Sequence, residues 1–324
     1  MAFSSRRRDM LLVALLGAAP QVRSQPARFP DRPLRIVVGY AAGGGMDTMA
    51  RILAAGLSGQ LGQSVVVENR PGAAGMLAAD HIAKSAADGY SLLMGETSLL
   101  IAPHLQASAL VDPLAQLTPV AGLFESLYMV IANNDFPASN PAEMIQVLKA
   151  APGKYVYATS GIGTLHHMGF ELLKAEAGLT VLHVPYRGAS QLVPDLLNNR
   201  IQLAVVSASV GQELAQAGKV KALGVYSNVD ARRSGGIAPI ATAVPGFDVV
   251  PLQVLYAPAG TPADVVARLS QAVRAVLADP GTVEQAGQQG VVPAYAAPQP
   301  LARKLASESA RWRDLIEQQH IKAQ

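Results

Sequence analysis

The sequence predicts a two-lobed α/β protein in which each lobe is a doubly wound, mostly parallel sheet with flanking helices. Three observations carry this reading. The chain has 324 residues, enough for two domains of ordinary size. Half of it is hydrophobic, with only 5% aromatic and 15% charged residues, a mixture suited to buried parallel strands under Ala-rich helices. Apolar runs of strand length alternate with helical patterns in two successive series.

The first residues read as an export leader. Arg6, Arg7 and Arg8 precede the apolar run Met10 to Ala19, which is too short to span a bilayer. Cleavage is expected after Ser24, and Asp9, placed where a twin-arginine signal wants an apolar residue, favours the general secretory route. Removing residues 1–24 takes four of the 26 basic and one of the 23 acidic residues, which leaves 22 of each. A mature chain of zero formal charge offers no basic face to nucleic acid or to a membrane surface. The absence of cysteine excludes disulfides, thiol catalysis, thiolate metal sites and lipid attachment at an N-terminal cysteine. The expected state is a soluble monomer, free in the periplasm.

Leu34 to Val38 reads as the first buried strand. The helix after it carries Met49, Leu53, Leu57 and Leu61 at four-residue spacing, behind Asp47 and Thr48 as capping residues. Val65 to Val67 is the next strand; the loop Asn69 to Gly75 breaks it, Met76 to Ala86 is helical, and Ser91 to Met94 is a strand. After Pro141 the rhythm restarts with a helix, then strand Tyr155 to Ala158, helix Leu165 to Ala177 and strand Val181 to Val184. Helix Ser190 to Asn198 and strand Ile201 to Val206 complete that series. Late in the chain Leu252 to Ala257 is a strand, Thr261 and Pro262 open a helix reaching Ala278, and a last helix ends near Gln319. The pattern leaves two placements for these final helices: a third small domain, or a return to the first sheet.

Two of the turns have the makings of anion cradles. A helix N-terminus carries unpaired N–H groups and a partial positive charge, and a glycine turn before it lets a carboxylate approach the backbone. In the first series the candidate contacts are Tyr40, Ala42, Gly43, Gly44, Gly45, Met46 and Asp47. In the second they are Ser160, Gly161, Gly163, Thr164 and His166, with the hydroxyls of Ser160 and Thr164 added to the backbone. Both turns follow parallel strands, at the end where ligands bind in open sheets. Asp47 reads equally as a ligand contact or a helix cap. A third segment, Tyr186, Arg187, Gly188 and Ala189, also joins a strand to a helix, and Ser207 ends the strand after it. Arg187 suits either an acid partner or a surface ion pair worth at most about 1 kcal/mol.

No catalytic residue, metal or cofactor is expected. Ser160-Gly161-Ile162-Gly163 is not a nucleophile elbow, because Ala158 stands where the first glycine would be. Gly43-Gly44-Gly45 lacks dinucleotide-binding spacing, since Thr48 falls where the last glycine belongs, and no Gly-Lys-Ser/Thr follows. His166 and His167 are adjacent and point in different directions, so they cannot easily share a metal.

Seven segments in order give the chain a family resemblance: FPDRPLRIVVGYAAGGGMD (Phe29 to Asp47), VVVENRPGAAG (Val65 to Gly75), DGYSLLMG (Asp88 to Gly95), SGIGTLHHMGFELL (Ser160 to Leu173), HVPYRGASQLVPDLL (His183 to Leu197), VPGFDV (Val244 to Val249) and APAGTPADVVARL (Ala257 to Leu269). Along almost all of its mature length the chain resembles the tripartite tricarboxylate transporter solute-binding proteins, the Bug or TctC family. The resemblance implies a type II periplasmic-binding-protein fold, with residues 25–127 and 252–324 in lobe one, 128–251 in lobe two, and a hinge near Leu127 and Pro251. It also places the Pro185 to Ala189 segment at the site and implies capture of an organic acid, amino acid or related small carboxylate for a membrane permease. An exported enzyme or a ligand-sensing subunit on the same fold is the competing reading.

The chain departs from the family pattern where Ala41, Ala42 and Met46 stand in place of a proline and a threonine around the triple glycine. It departs again at Val206-Ser207-Ala208-Ser209, where most members carry an acidic residue. A ligand amine would there lose its counter-charge, so the expected cargo is a carboxylate without a cationic amine, with an apolar or aromatic body.

Overall fold

The first strand is apolar at every position but Arg35 because it serves two cores at once. In the computed structural model, which describes residues 29–105 and 110–322, Ile36 and Val38 enter one apolar cluster and Val37 enters another on the opposite face. The leader and its cleavage after Ser24 lie outside the described residues.

The chain begins with β1 (Leu34–Val38), α1 (Gly45–Leu61), β2 (Val65–Asn69), α2 (Met76–Ala83) and β3 (Ser91–Glu96). Two single turns, α3 (Ala102–Leu105) and α4 (Pro113–Gln116), lead into β4 (Leu117–Ser126). A second series follows: β5 (Tyr128–Ala132), α5 (Pro141–Ala150), β6 (Val156–Thr159), α6 (Leu165–Ala177), β7 (Leu182–Pro185), α7 (Ala189–Leu197), β8 (Leu203–Ser207), α8 (Ala208–Gln216) and β9 (Lys221–Val225). The chain closes with β10 (Leu252–Pro258), α9 (Ala263–Leu277), α10 (Pro280–Gln288), β11 (Val291–Ala296) and α11 (Pro298–Gln318).

These strands make two sheets, ordered β11-β4-β10-β3-β1-β2 and β7-β6-β8-β5-β9. The chain thus passes from the first sheet to the second at Leu127 and returns ahead of β10, and α9 and α11 pack on the first sheet. The α/β expectation holds, with one correction: the sheets are mixed rather than mostly parallel. β1 pairs in parallel with β2 and β3, and β6 with β7 and β8, whereas β10 and β5 are antiparallel to both of their neighbours. β5 and β10 enter their sheets from the other sheet without a crossover helix, so nothing compels them to run with the rest.

Local chemistry explains the helices that frame the cleft. The α1 stripe Met49, Leu53, Leu57 and Leu61 is buried as its spacing requires. Thr164 caps α6 by accepting from the His167 N–H, and Asn140 caps α5, with Pro141 at the first helical position. Helix α9 starts one residue later than Pro262, because Thr261 turns its hydroxyl back to the Pro258 carbonyl at 2.8 Å.

Gly169 lets α6 lie on the ring of Tyr226; an added Cβ would stand 2.3 Å from Cε2. That ring is fully buried, edge-on to Phe247, and tied by its hydroxyl to the His166 carbonyl at 3.0 Å, so it cannot yield. Gly169→Ala is therefore expected to destabilise, because overpacking of about 1–3 kcal/mol exceeds the roughly 1 kcal/mol gained in helix propensity. A thermal melt with a midpoint equal to or above that of the wild type would show that the ring moves freely.

Candidate functional site

Five parallel strands, β1 and β3 of one sheet and β6, β7 and β8 of the other, end at a shared cleft of about 740 Å³, a size suited to a small ligand. Helices begin where these strands end. The cleft brings together Tyr40, Gly45 and Met46 from the first cradle, Ser160, Gly161, Gly163, Thr164 and His166 from the second, and Arg187, Gly188 and Ser207. It does not include Ala42, Gly43, Gly44, Asp47, Tyr186 or Ala189 among its lining residues.

The reason Gly43 and Asp47 stand back is that they hold each other. The Gly43 N–H donates to Asp47 Oδ2 at 2.9 Å, Arg51 grips both carboxylate oxygens at 3.0 Å, and Asn69 donates to Oδ1 at 3.0 Å and to the Tyr40 carbonyl at 3.1 Å. Asp47 is 3% exposed and fastens the loop. The Arg51 hydrogen bond, helped by Gly43 and Asn69, holds its carboxyl at about 2. The loop is pinned from below as well: a Cβ on Gly39 would come within 2.4 Å of the Gly75 Cα, so the two glycine-bearing motifs meet backbone to backbone.

The second cradle repeats this device. The Gly163 N–H donates to His167 Nδ1 at 3.3 Å, again from a glycine to the side chain four residues on, and Gly161 donates to the Thr159 hydroxyl at 3.3 Å. The glycine N–H groups thus serve the loop itself. Donors left for a ligand at lining positions are the N–H groups of Gly45 and Met46 on α1, Leu165 and His166 on α6, and Gly188 at the cap of α7. Tyr186 instead donates its hydroxyl to Asp195 at 2.7 Å, while no partner of the Arg187 guanidinium is found among the described residues.

Several lining residues are not among the sequence candidates. Helix α8 begins beside Ser207 and Ser209 and adds a fourth helix N-terminus. Tyr128, the first residue of β5, stacks on the His166 ring with centroids 3.8 Å apart. Glu96, the last residue of β3, accepts from the Tyr128 hydroxyl at 3.0 Å and from Ser98 at 3.3 Å. Burial pushes the Glu96 carboxyl up, and burial together with the Glu96 charge pushes the hydroxyls of Tyr40 and Tyr128 up. A carboxyl group thus lines the cleft from the end of β3 rather than from the segment after Val206. Its position just beyond a predicted strand end was the available signal.

Ser160 Oγ and His166 Nδ1 lie 2.8 Å apart, the spacing of a nucleophile and its base. Burial holds His166 at about 4, which makes it a weak base at neutral pH, and no carboxylate orients its ring among the described residues.

The Asp47 fastening has a pH signature. Its folded pKa lies below the ordinary 3.8, so its stabilisation is complete above that value and is lost as pH falls through about 2. Asp47→Asn is expected to cost about 1–3 kcal/mol at neutral pH by weakening three donors' acceptor. Melts compared across pH should show the deficit constant above about pH 4 and shrinking towards pH 2; a deficit that stays unchanged to pH 2 would exclude an ionised fastening.

Comparison with known proteins bears on what such a cleft is for. The model of the tripartite tricarboxylate transporter family receptor matches residues 49–321. The UPF0065 protein in the tcbD-tcbE intergenic region of Pseudomonas sp. (strain P51) is 35% identical, over 100% of this chain and 97% of the relative. The structure of periplasmic binding protein BugD is 31% identical with a TM-score of 0.75, covering 91% of this chain and 100% of its own. That of R. palustris Rpa4515 with adipate is 29% identical with a TM-score of 0.77, covering 91% and 99%. These structures bear out the two-lobed periplasmic-binding-protein fold. The chain belongs to the tripartite tricarboxylate transporter receptors, the TctC or Bug family of solute-binding proteins.

Proposed function

We propose that the protein is a periplasmic binding component that captures a small carboxylate in the cleft between its two sheets and delivers it to a tripartite tricarboxylate transporter permease. One observation carries the reading. Residues at the N-termini of α1, α6, α7 and α8 line a single cleft of about 740 Å³, and helix N-termini can hold an anion without a dedicated lysine. Each contributes a partial charge of about half a unit at close range. A relative of the same fold holds adipate, a small carboxylate. No helix among the described residues is long and apolar enough to cross a membrane, consistent with a binding component that works beside its permease. Binding without chemistry also suits a cleft whose one serine–histidine pair carries a weakened base.

Gly45 lies at the first position of α1, has open space where a Cβ would go, and lines the cleft. Gly45→Val is expected to leave the thermal midpoint unchanged and to weaken carboxylate binding at least about tenfold in calorimetric titration, by standing off the carboxylate from the N–H groups. Undiminished binding by the variant would mean that the cargo lies elsewhere. Recovery of a chemically altered cargo after incubation would overturn the transport reading.

A further inference from the structure

The donors around the cleft are matched by a pair of acceptors, one of which has no donor among the described residues. Glu96 at the end of β3 and Gln253 in β10 are Cα partners across the antiparallel pairing of those strands, so their side chains share one face, and both line the cleft. Glu96 receives the Tyr128 hydroxyl on Oε1 and the Ser98 hydroxyl on Oε2. Both oxygens are thus met by neutral hydroxyls while burial pushes the carboxyl up, so a cation beside it is what would hold it ionised. No lysine, arginine or histidine is among the influences on it. Gln253 is 5% exposed, and its Oε1 has no hydrogen-bond donor among the described residues. Buried acceptors are ordinarily paired, and an anion with a bare amide oxygen beside it asks for a partner with several N–H groups and a positive charge.

We propose that Glu96 and Gln253 form a subsite for a cationic nitrogen, so that the cargo is a zwitterion whose carboxylate meets the helix N-termini and whose ammonium meets this pair. The inference rests on the carboxylate-capture reading above and narrows it. An ammonium group brings three donors and one positive charge, enough to serve the carboxylate and the amide oxygen together. A dicarboxylate would set a second anion against Glu96, and a hydroxyl would bring one donor and no charge. The expectation of a cargo without a cationic amine considered only the residues after β8; the counter-charge comes instead from β3, in the other sheet.

Calorimetric titration of the purified protein with matched pairs tests this. The ω-amino acids β-alanine, 4-aminobutanoate, 5-aminopentanoate and 6-aminohexanoate are paired with succinate, glutarate, adipate and pimelate. Alanine, leucine and phenylalanine are paired with their deaminated acids. At least one zwitterion should bind about tenfold more tightly than its counterpart, the effect of one charge-assisted bond, and Glu96→Gln should erase that advantage. Counterparts that bind as well as every zwitterion, or an advantage that survives in Glu96→Gln, would overturn the subsite and leave the carboxylate reading standing. Silence from all the acids would overturn both. Should Glu96→Gln fail to fold, the wild-type pairs decide, and Gln253→Leu must reduce the zwitterion advantage.

Discussion

Strand direction is the constraint on which the cleft depends. A parallel strand that ends at the cleft must be followed by a helix that begins near it, so every crossover delivers the positive end of a helix to the same place. The antiparallel strands obey the same geometry in reverse. β5 and β10 begin at the edge where their neighbours end, which puts Tyr128 and Gln253, at their starts, into the cleft. Backbone donors, Glu96 and Ser207 come with the first kind of strand, and the second adds the side chains of Tyr128 and Gln253. The sheet mixture that departs from the sequence expectation is therefore what furnishes part of the lining.

The two cradles are kept open by a shared device. In each, the N–H of a glycine is drawn to a side chain four residues later, Asp47 in one and His167 in the other, which curls the turn before the helix starts. The supports behind them differ. Asp47 is held at the edge of the first sheet by exposed Arg51 and by Asn69 at the end of β2. His167 lies over a buried group in which Glu171 takes the Lys174 ammonium at 2.8 Å and the Tyr157 hydroxyl. A buried pair of this kind adds little to net stability, but removing one partner strands a charge. Its position fixes the ring that fixes the loop.

Much of the fold was legible because its signals are local. Strand β1, the α1 stripe, the helix Leu165–Ala177 and the two glycine turns are each contained within a short window of residues. Strands β4 and β5 were not delimited, since they follow each other after a single residue and the middle of β4 and all of β5 are buried on both faces, which leaves no alternation to read. The site divides in the same way. Gly45, Ser160 and Gly188 announce themselves by sequence neighbours, whereas Glu96 gains its meaning from Tyr128 on another sheet and Gln253 from a pairing 157 positions away. Asp47 shows the opposite case: its sequence position suits a ligand contact, yet Arg51, Asn69 and Gly43 already occupy its oxygens.

Charge in the cleft is sparse enough to count, and that sparseness sharpens its polarity. Burial holds His166 and His167 at about 4 and His183 at about 3, so the imidazoles in and behind the second cradle stay neutral at any ordinary pH. Glu96 and Arg187 are then the carboxyl and the guanidinium among the lining residues, one from each sheet's side of the cleft. Arg187 is exposed at the start of its helix, where water shields it, while Glu96 is partly buried, where a charge acts more strongly on a neighbour. The helix N-termini favour a negative group over much of the surface, and Glu96 reverses that preference at one end. On the zwitterion proposal, a ligand of uniform charge is favoured by one part of this surface and opposed by the other, whereas one with two poles fits both.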